Sequence, residues 1–155
     1  MKQTLTIPEW HAMAQSGTAV PMRILIHGGS MYPLIRMDRD YVTIMPIKEK
    51  IRVGDIVMFS DPYQDRYVLH RVWRIEGNRV LTWGDNCRRP DPWMPLDAIW
   101  GKAALIERGK KRIVPHPARG VRMAWIWHPL SDKFRYLRGV WAAVRRRIKR
   151  ILCRP

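Results

Sequence analysis

Apolar and polar residues alternate along several short stretches of the chain between residues 20 and 107. Such alternation is typical of β-strands, because successive side chains of a strand point to opposite faces of the sheet. The predicted strands are, in order, "VPMRILIHGG", "DYVTIMPI", "DIVMFS", "YVLHRVWRI", "RVLTW" and "IWGKAALIER". The first is a short aliphatic run that ends in glycines, the middle four alternate, and the last is a closing strand. Gly77-Asn78 lies between the fourth and fifth and predicts a tight hairpin. We expect a mostly β fold, built as an antiparallel sheet or small barrel.

Helical patterns flank this region on both sides. Thr6 to Gln15 predicts a short N-terminal helix, with Thr6 as its cap and Pro8 in the first turn, where a missing N–H costs nothing. From Ser131 onward, apolar residues recur at steps of three and four with basic residues between them, which predicts a C-terminal amphipathic helix. The apolar positions of that helix are Phe134, Leu137, Trp141, Val144, Ile148 and Ile151.

The composition changes after Arg108, where the basic, proline-containing stretch "RGKKRIVPHPARG" predicts a linker. A chain of 155 residues has room for one substantial core. We therefore expect a β domain over residues 1–108, followed over residues 109–155 by a basic tether and the amphipathic helix.

Two absences in the sequence bear on location and cofactors. No run of apolar residues is long enough to span a bilayer, and the N-terminus lacks the apolar core of a signal peptide. Cys87 and Cys153 lie far apart and in no metal-ligand spacing. We expect a cytoplasmic protein with reduced thiols and with neither a metal nor a cofactor.

The candidate chemistry begins at "GGSMYPL", where Ser30 follows two glycines at the end of the first predicted strand. A nucleophilic serine needs a base, usually histidine, and a carboxylate that orients the imidazole. His70 supplies the first group, and either Asp85 or Asp91 supplies the second. Each of these residues taken alone is more often a turn or packing residue. The residues themselves do not decide between the two aspartates.

The order of the motifs around these residues resembles that of type I signal peptidases. "GSMYP" resembles the family's Gly-Ser-Met-x-Pro box, and "VGDIVMF" at residues 53–59 resembles its Gly-Asp-(Ile/Val)-Val segment. "HRV" at residues 70–72 and "TWGDNCRRPDP" at residues 82–92 complete the series. The resemblance covers roughly residues 22–105. Because the base position falls on a histidine and not a lysine, it indicates the Ser/His branch, of the endoplasmic-reticulum and archaeal type.

The resemblance implies a role for each matching residue and a mostly β catalytic core. Ser30 matches the nucleophile, His70 the general base and Asp91 the third member of the triad, while Asp85 matches a second acidic position that supports the site. The remaining residues of the serine turn, which are expected to shape it and contact substrate, are Gly28, Gly29, Met31 and Pro33.

Two departures from the family keep alternatives open. The chain has no transmembrane anchor ahead of the serine box, and Gly28 stands where a hydroxyl often contributes to the oxyanion hole. The leading hypothesis is a serine endopeptidase that binds a peptide or protein precursor as an extended strand. The alternatives are a non-catalytic scaffold with the same fold, and a self-cleaving repressor, against which the histidine base and the short N-terminal segment both count.

The charge of the chain points to an anionic partner. Lys and Arg number 29 against 13 Asp and Glu, a net charge of +16. The last 25 residues carry nine basic residues and one acidic residue, a net charge of +8. Together with Trp125 and Trp127, this favours attachment of residues 121–152 to an anionic membrane surface at the inner face of the membrane. Nucleic acid is the alternative partner, since clustered arginines also bind phosphates.

Overall fold

The computed structural model of the chain describes residues 6–61 and 66–130. Helix α1 (Ile7–Gln15) begins where the sequence predicts. The Thr6 side chain accepts a hydrogen bond from the backbone N–H of Glu9, whose carboxylate accepts one from the backbone N–H of Thr6. Trp10 is fully buried and donates a hydrogen bond from Nε1 to the Val20 carbonyl, at 2.7 Å. This side chain fixes α1 to the sheet.

Eight strands follow, and the predicted mostly β fold is confirmed. The hairpin predicted at Gly77-Asn78 joins two of them, with Gly77 at a φ of +56°. A short 3-10 turn (Leu96–Ala98) precedes the seventh strand, and residues 117–130 form helix α2. The strands are β1 (Met22–Leu25), β2 (Asp40–Pro46), β3 (Ile56–Asp61), β4 (Arg66–Glu76), β5 (Arg79–Trp83), β6 (Met94–Pro95), β7 (Ile99–Arg108) and β8 (Lys111–Ile113).

The strands form one antiparallel sheet in the order β1-β2-β7-β3-β4-β5-β6, with β8 also paired to β7. Register shifts interrupt the pairing of β2 with β7, of β3 with β7 and of β4 with β5. Such irregularities increase the local twist of a sheet. The alternating side chains of β3 enter two separate cores: Ile56 and Met58 pack with Trp10, whereas Val57 and Phe59 pack with Val72 and Val80.

A buried ion pair ties the centre of the sheet to the turn that carries Ser30. The Arg108 guanidinium donates from Nε to Asp40 Oδ1 at 2.8 Å, and it also donates to the Leu34 carbonyl at 2.8 Å. The backbone N–H of Arg36 donates to the same carboxylate. Burial alone raises the pKa of Asp40, but these hydrogen bonds outweigh burial and lower it. The carboxylate is therefore charged, and it fixes the segment that follows Ser30.

The stretch predicted as a linker is structured within the described residues. Strand β8 pairs with the end of β7 in the register Ile106↔Ile113, and α2 begins at residue 117. A strand of three residues is too short to show alternation, and the basic composition conceals it. The division of the chain at residue 108 stays a prediction. The helix predicted from Ser131, with its apolar stripe, lies outside the described residues.

Trp10 gives a direct test of how much α1 contributes to stability. We expect Trp10→Ala to lower the free energy of unfolding by about 3–5 kcal/mol, because it leaves a cavity against the sheet and removes a buried hydrogen bond. Urea unfolding followed by circular dichroism measures the loss. Met37→Ala, at a side chain that is 52% exposed, is the control. Equal losses for the two variants would contradict this role of Trp10.

Candidate active site

The turn that carries Ser30 is held by the loop that follows β5. The backbone N–H of Asn86 donates to the Ser30 carbonyl at 2.7 Å, and Nδ2 of Asn86 donates to the Gly29 carbonyl at 3.1 Å. One backbone and one side-chain donor of Asn86, 57 residues from Gly29, thus join two of the sequence boxes. The Ser30 side chain remains available, since its hydroxyl makes no hydrogen bond to another of the described residues.

His70 lies on β4, opposite Val57 of β3, and is 5% exposed. Its Nδ1 is 2.7 Å from Asp91 Oδ2, and the same oxygen accepts a hydrogen bond from the Thr82 hydroxyl at 2.6 Å. The backbone N–H of Asp91 donates to the Thr82 carbonyl at 2.9 Å. Thr82, which the sequence analysis did not identify, therefore fixes both the backbone and the carboxylate of Asp91. This carboxylate in turn orients the imidazole.

Asp85 lies apart from His70 and pairs with Arg71. Nε and Nη2 of the guanidinium donate to the two carboxylate oxygens at 2.9 and 2.7 Å, and Nη1 donates to the Gly54 carbonyl at 2.9 Å. Both side chains are buried, with 1% of Arg71 and 5% of Asp85 exposed. A bidentate pair of this kind is geometrically specific, and the loss of one partner leaves an uncompensated buried charge. The position of Asp85 is therefore that of a supporting residue.

Cys87 contacts the other ring nitrogen of His70, which the sequence analysis did not anticipate. Its Sγ is 3.8 Å from Nε2. Gly84 makes this approach possible, because a Cβ added there would lie 2.7 Å from both the sulfur and Nε2. The spacing of Cys87 in the sequence argues only against a metal ligand or a disulfide partner. The one sequence signal was its place directly after "GDN".

Opposing influences act on the pKa of His70. Burial lowers it, but the hydrogen bonds and charges of Asp91 and Cys87 raise it from the ordinary 6.5 to about 9. Because the folded value is the higher one, this interaction stabilises the fold fully below about pH 6.5. The stabilisation is lost as the pH rises through 9.

A cleft of about 630 Å³ brings Ser30, His70 and Cys87 to one surface. The end of β1, the serine turn and the first half of β4 form its walls. Gly28 and Gly29 also line it, and a Cβ added at either would meet no atom within 4 Å. Met31 reaches the cleft but is 1% exposed and belongs to the core. Pro33 instead lines a second, mostly apolar cavity of about 380 Å³ beneath α2.

The part of the chain described by the structure contains no group of three His, Cys, Asp or Glu side chains arranged to hold a metal ion. Nor does any of its helices have the length and apolar character needed to cross a bilayer.

The chain matches no protein-family model, and no curated protein is significantly similar to it in sequence.

The pKa of His70 can be measured directly. We expect NMR titration of the imidazole to give a value of about 9. In Asp91→Asn the pKa should fall, because burial persists while the carboxylate charge is lost. Asp38→Asn removes an exposed carboxylate elsewhere and should leave the titration unchanged. A His70 pKa that does not respond to Asp91→Asn would contradict the assignment of Asp91 as its partner.

Proposed function

We propose that the chain is a serine endopeptidase in which Ser30 is the nucleophile, His70 the general base and Asp91 the residue that orients the base. The supporting observation is the His70–Asp91 contact at 2.7 Å, in which the imidazole is 7% and the carboxylate 23% exposed, together with the cleft that His70 and Ser30 both line. A carboxylate–imidazole pair beside an available hydroxyl is the arrangement that peptide-bond attack requires. The resemblance to type I signal peptidases supports the same roles.

The proposed reaction uses the two nitrogens of His70 differently. Asp91 accepts a hydrogen bond from Nδ1–H, so that in the neutral imidazole, which forms as the pH rises through about 9, Nε2 carries the lone pair that removes the Ser30 proton. The serine oxygen attacks the peptide carbonyl, and the imidazolium then donates its proton to the leaving amine. Nε2 must turn from Cys87 to Ser30 for this step. The backbone N–H of Ser30 is the proposed donor to the oxyanion, since Gly28 carries no hydroxyl.

The cleft favours a peptide in an extended conformation. Strand β1 pairs with β2, and residues 66–70 of β4 pair with β3. Within the described residues, neither segment has a strand on its cleft-facing side, because β5 joins β4 only from Arg71 onward. An extended peptide can add to such an edge through backbone hydrogen bonds. The proposed substrate is therefore a strand-like segment of a peptide or protein precursor.

Loss of the nucleophile tests this function. We expect Ser30→Ala to lower the cleavage rate by about a thousandfold or more, and His70→Ala to do the same. Mass spectrometry of protein N-termini, from cells that carry each variant, measures cleavage and gives the cut sites. Ser16→Ala, at the end of α1, is the matched control.

Because the Ser30 hydroxyl has no hydrogen-bond partner among the described residues, Ser30→Ala should retain the unfolding midpoint of the unmodified chain. Identical N-termini with and without Ser30 would refute the peptidase. Normal cellular function of Ser30→Ala would then favour the non-catalytic scaffold.

A second proposal concerns where the protein acts: peripherally, on an anionic membrane surface at the cytoplasmic side. The supporting observation is the exposed surface of α2, where Trp125 and Ile126 are 67% and 64% exposed. Met123, Leu130, Arg119 and Arg122 of this helix are also exposed, and Arg119, Met123 and Ile126 border the cavity beneath it. Exposed apolar side chains flanked by cations are typical of helices that lie in a lipid interface.

Vesicle co-sedimentation tests this attachment. The chain should bind vesicles that contain phosphatidylglycerol and not vesicles of phosphatidylcholine alone. Arg119→Gln combined with Arg122→Gln should weaken binding roughly thirtyfold, since each cation near an anionic surface contributes about 1 kcal/mol. Val53→Ser removes an exposed apolar side chain elsewhere and is the control. Unchanged vesicle binding, with weakened binding to a DNA duplex, would assign this face to nucleic acid.

A further inference from the structure

We propose that Cys87 is a second nucleophile of the cleft: a thiol activated by His70 and Asp91 that is covalently modified by soft carbon electrophiles, such as α-halocarbonyl and α,β-unsaturated carbonyl compounds. This reactivity is separate from the peptidase chemistry proposed for Ser30, although both use the same imidazole.

The geometry around the sulfur is that of an activated thiol. Sγ is 3.8 Å from His70 Nε2, and Nδ1 of the same ring is 2.7 Å from Asp91. The Thr82 hydroxyl donates to the same carboxylate oxygen, at 2.6 Å. An activated cysteine requires a nucleophile, a base and a group that orients the base, and Cys87, His70 and Asp91 are arranged in that order. Within the described residues, the sulfur has this contact to Nε2 and the Ser30 hydroxyl does not.

The backbone around Cys87 keeps the thiol in this place. Its N–H donates to the Gly84 carbonyl at 2.9 Å, and its own carbonyl accepts a hydrogen bond from Trp83 Nε1 at 3.1 Å. The absence of a side chain at Gly84 leaves the space in which Sγ and Nε2 meet. These contacts make the approach a fixed feature of the loop.

An electrophile can reach the sulfur from the cleft. Cys87 is half-buried and lines the cavity of about 630 Å³ together with Ser30 and His70. A buried cysteine in apolar surroundings is inert, whereas one that is partly exposed beside a base reacts. The cavity has room for a small carbonyl compound.

Iodoacetamide illustrates the balanced reaction. The thiol proton passes to Nε2 and is retained there, because Asp91 and Cys87 raise the pKa of His70 to about 9, and the sulfur lone pair attacks the CH₂ carbon. A carbon–sulfur bond forms, the carbon–iodine bond breaks, and iodide leaves with the bonding pair. The imidazolium then releases its proton to solvent, and a thioether remains in the cleft. No oxidant or further reactant is required.

Modification of Cys87 also has a consequence for Ser30, and this consequence rests on the proposed function. A carbamidomethyl group on Sγ would occupy the cleft between Nε2 and an incoming peptide. Cleavage by the native chain should therefore fall with the extent of labelling. In Cys87→Ala, iodoacetamide should leave cleavage unchanged.

The labelling rate tests the proposal without reference to cleavage. The full-length chain is treated with iodoacetamide at pH 7.5, and each cysteine is quantified by peptide mass spectrometry. We expect Cys87 to react at least about tenfold faster in the native chain than in the urea-unfolded chain. His70→Gln should remove this advantage, and Asp91→Asn should reduce it. Ser30→Ala should label as fast as the native chain, and Cys153 is the internal reference for reagent and pH.

The outcomes separate the two proposals. Rapid, His70-dependent labelling in a chain that cleaves nothing would support the thiol and refute the peptidase. A native rate for Cys87 that does not exceed its unfolded rate would overturn the thiol proposal, whatever the cleavage result. If His70→Gln does not fold, the thiol proposal is still decided by two measurements. These are the labelling rate of Cys87 in the native against the unfolded chain, and its rate in Asp91→Asn.

Discussion

The buried ion pair between Arg71 and Asp85 is the interaction on which the rest of the site depends. It connects β4 to the loop after β5, and its third hydrogen bond reaches the Gly54 carbonyl ahead of β3. With 1% of Arg71 exposed, the guanidinium has exchanged water for these protein partners. Loss of either charge would leave the other buried and unpaired, at a cost of about 3–5 kcal/mol. The three segments are therefore fixed relative to one another.

The neighbours of this pair in the sequence are the residues that form the site. His70 precedes Arg71 on β4, and because successive side chains alternate, the imidazole lies on the cleft side while the guanidinium lies beneath α2. Asn86 follows Asp85 and holds the backbone of Ser30. The ion pair thus determines the separation of the base from the serine turn. Helix α2 shares the same support, since Gly120 packs directly on the guanidinium.

The sequence predicted the parts of this structure that depend on local pattern. Alternation and short aliphatic runs located six of the strands, and Gly77-Asn78 located the hairpin, because these signals follow from backbone geometry within a few residues. The prediction did not extend to β8, whose three residues show no period, or to the start of α2, where a basic and proline-containing stretch resembles a linker. Tertiary pairing with β7 determines the conformation there.

Contacts between residues that are distant in the chain could not be predicted from the sequence. Asp85 and Asp91 are indistinguishable as carboxylates in one loop, and what separates them is that Thr82 holds one while Arg71 binds the other. The position of Cys87 beside His70 could not be predicted either. It depends on a contact with a strand 17 residues earlier, and on the missing side chain of Gly84 that permits this contact.

His70 has one nitrogen for the two nucleophiles proposed, Ser30 and Cys87, and this constrains the chemistry proposed for the cleft. Asp91 engages Nδ1, so that only Nε2 can exchange a proton with Ser30 or Cys87. The two reactions are mutually exclusive at any instant, since one lone pair accepts one proton. The group that occupies the cleft therefore decides which of the two proposed reactions can occur. A substrate that displaces the sulfur from Nε2 would make His70 available to Ser30, whereas a group bonded to the sulfur would keep Ser30 from it. Because the loop contacts of Cys87 favour the sulfur, the resting site is oriented for the thiol, and the proposed serine reaction would require binding energy from the peptide to redirect His70.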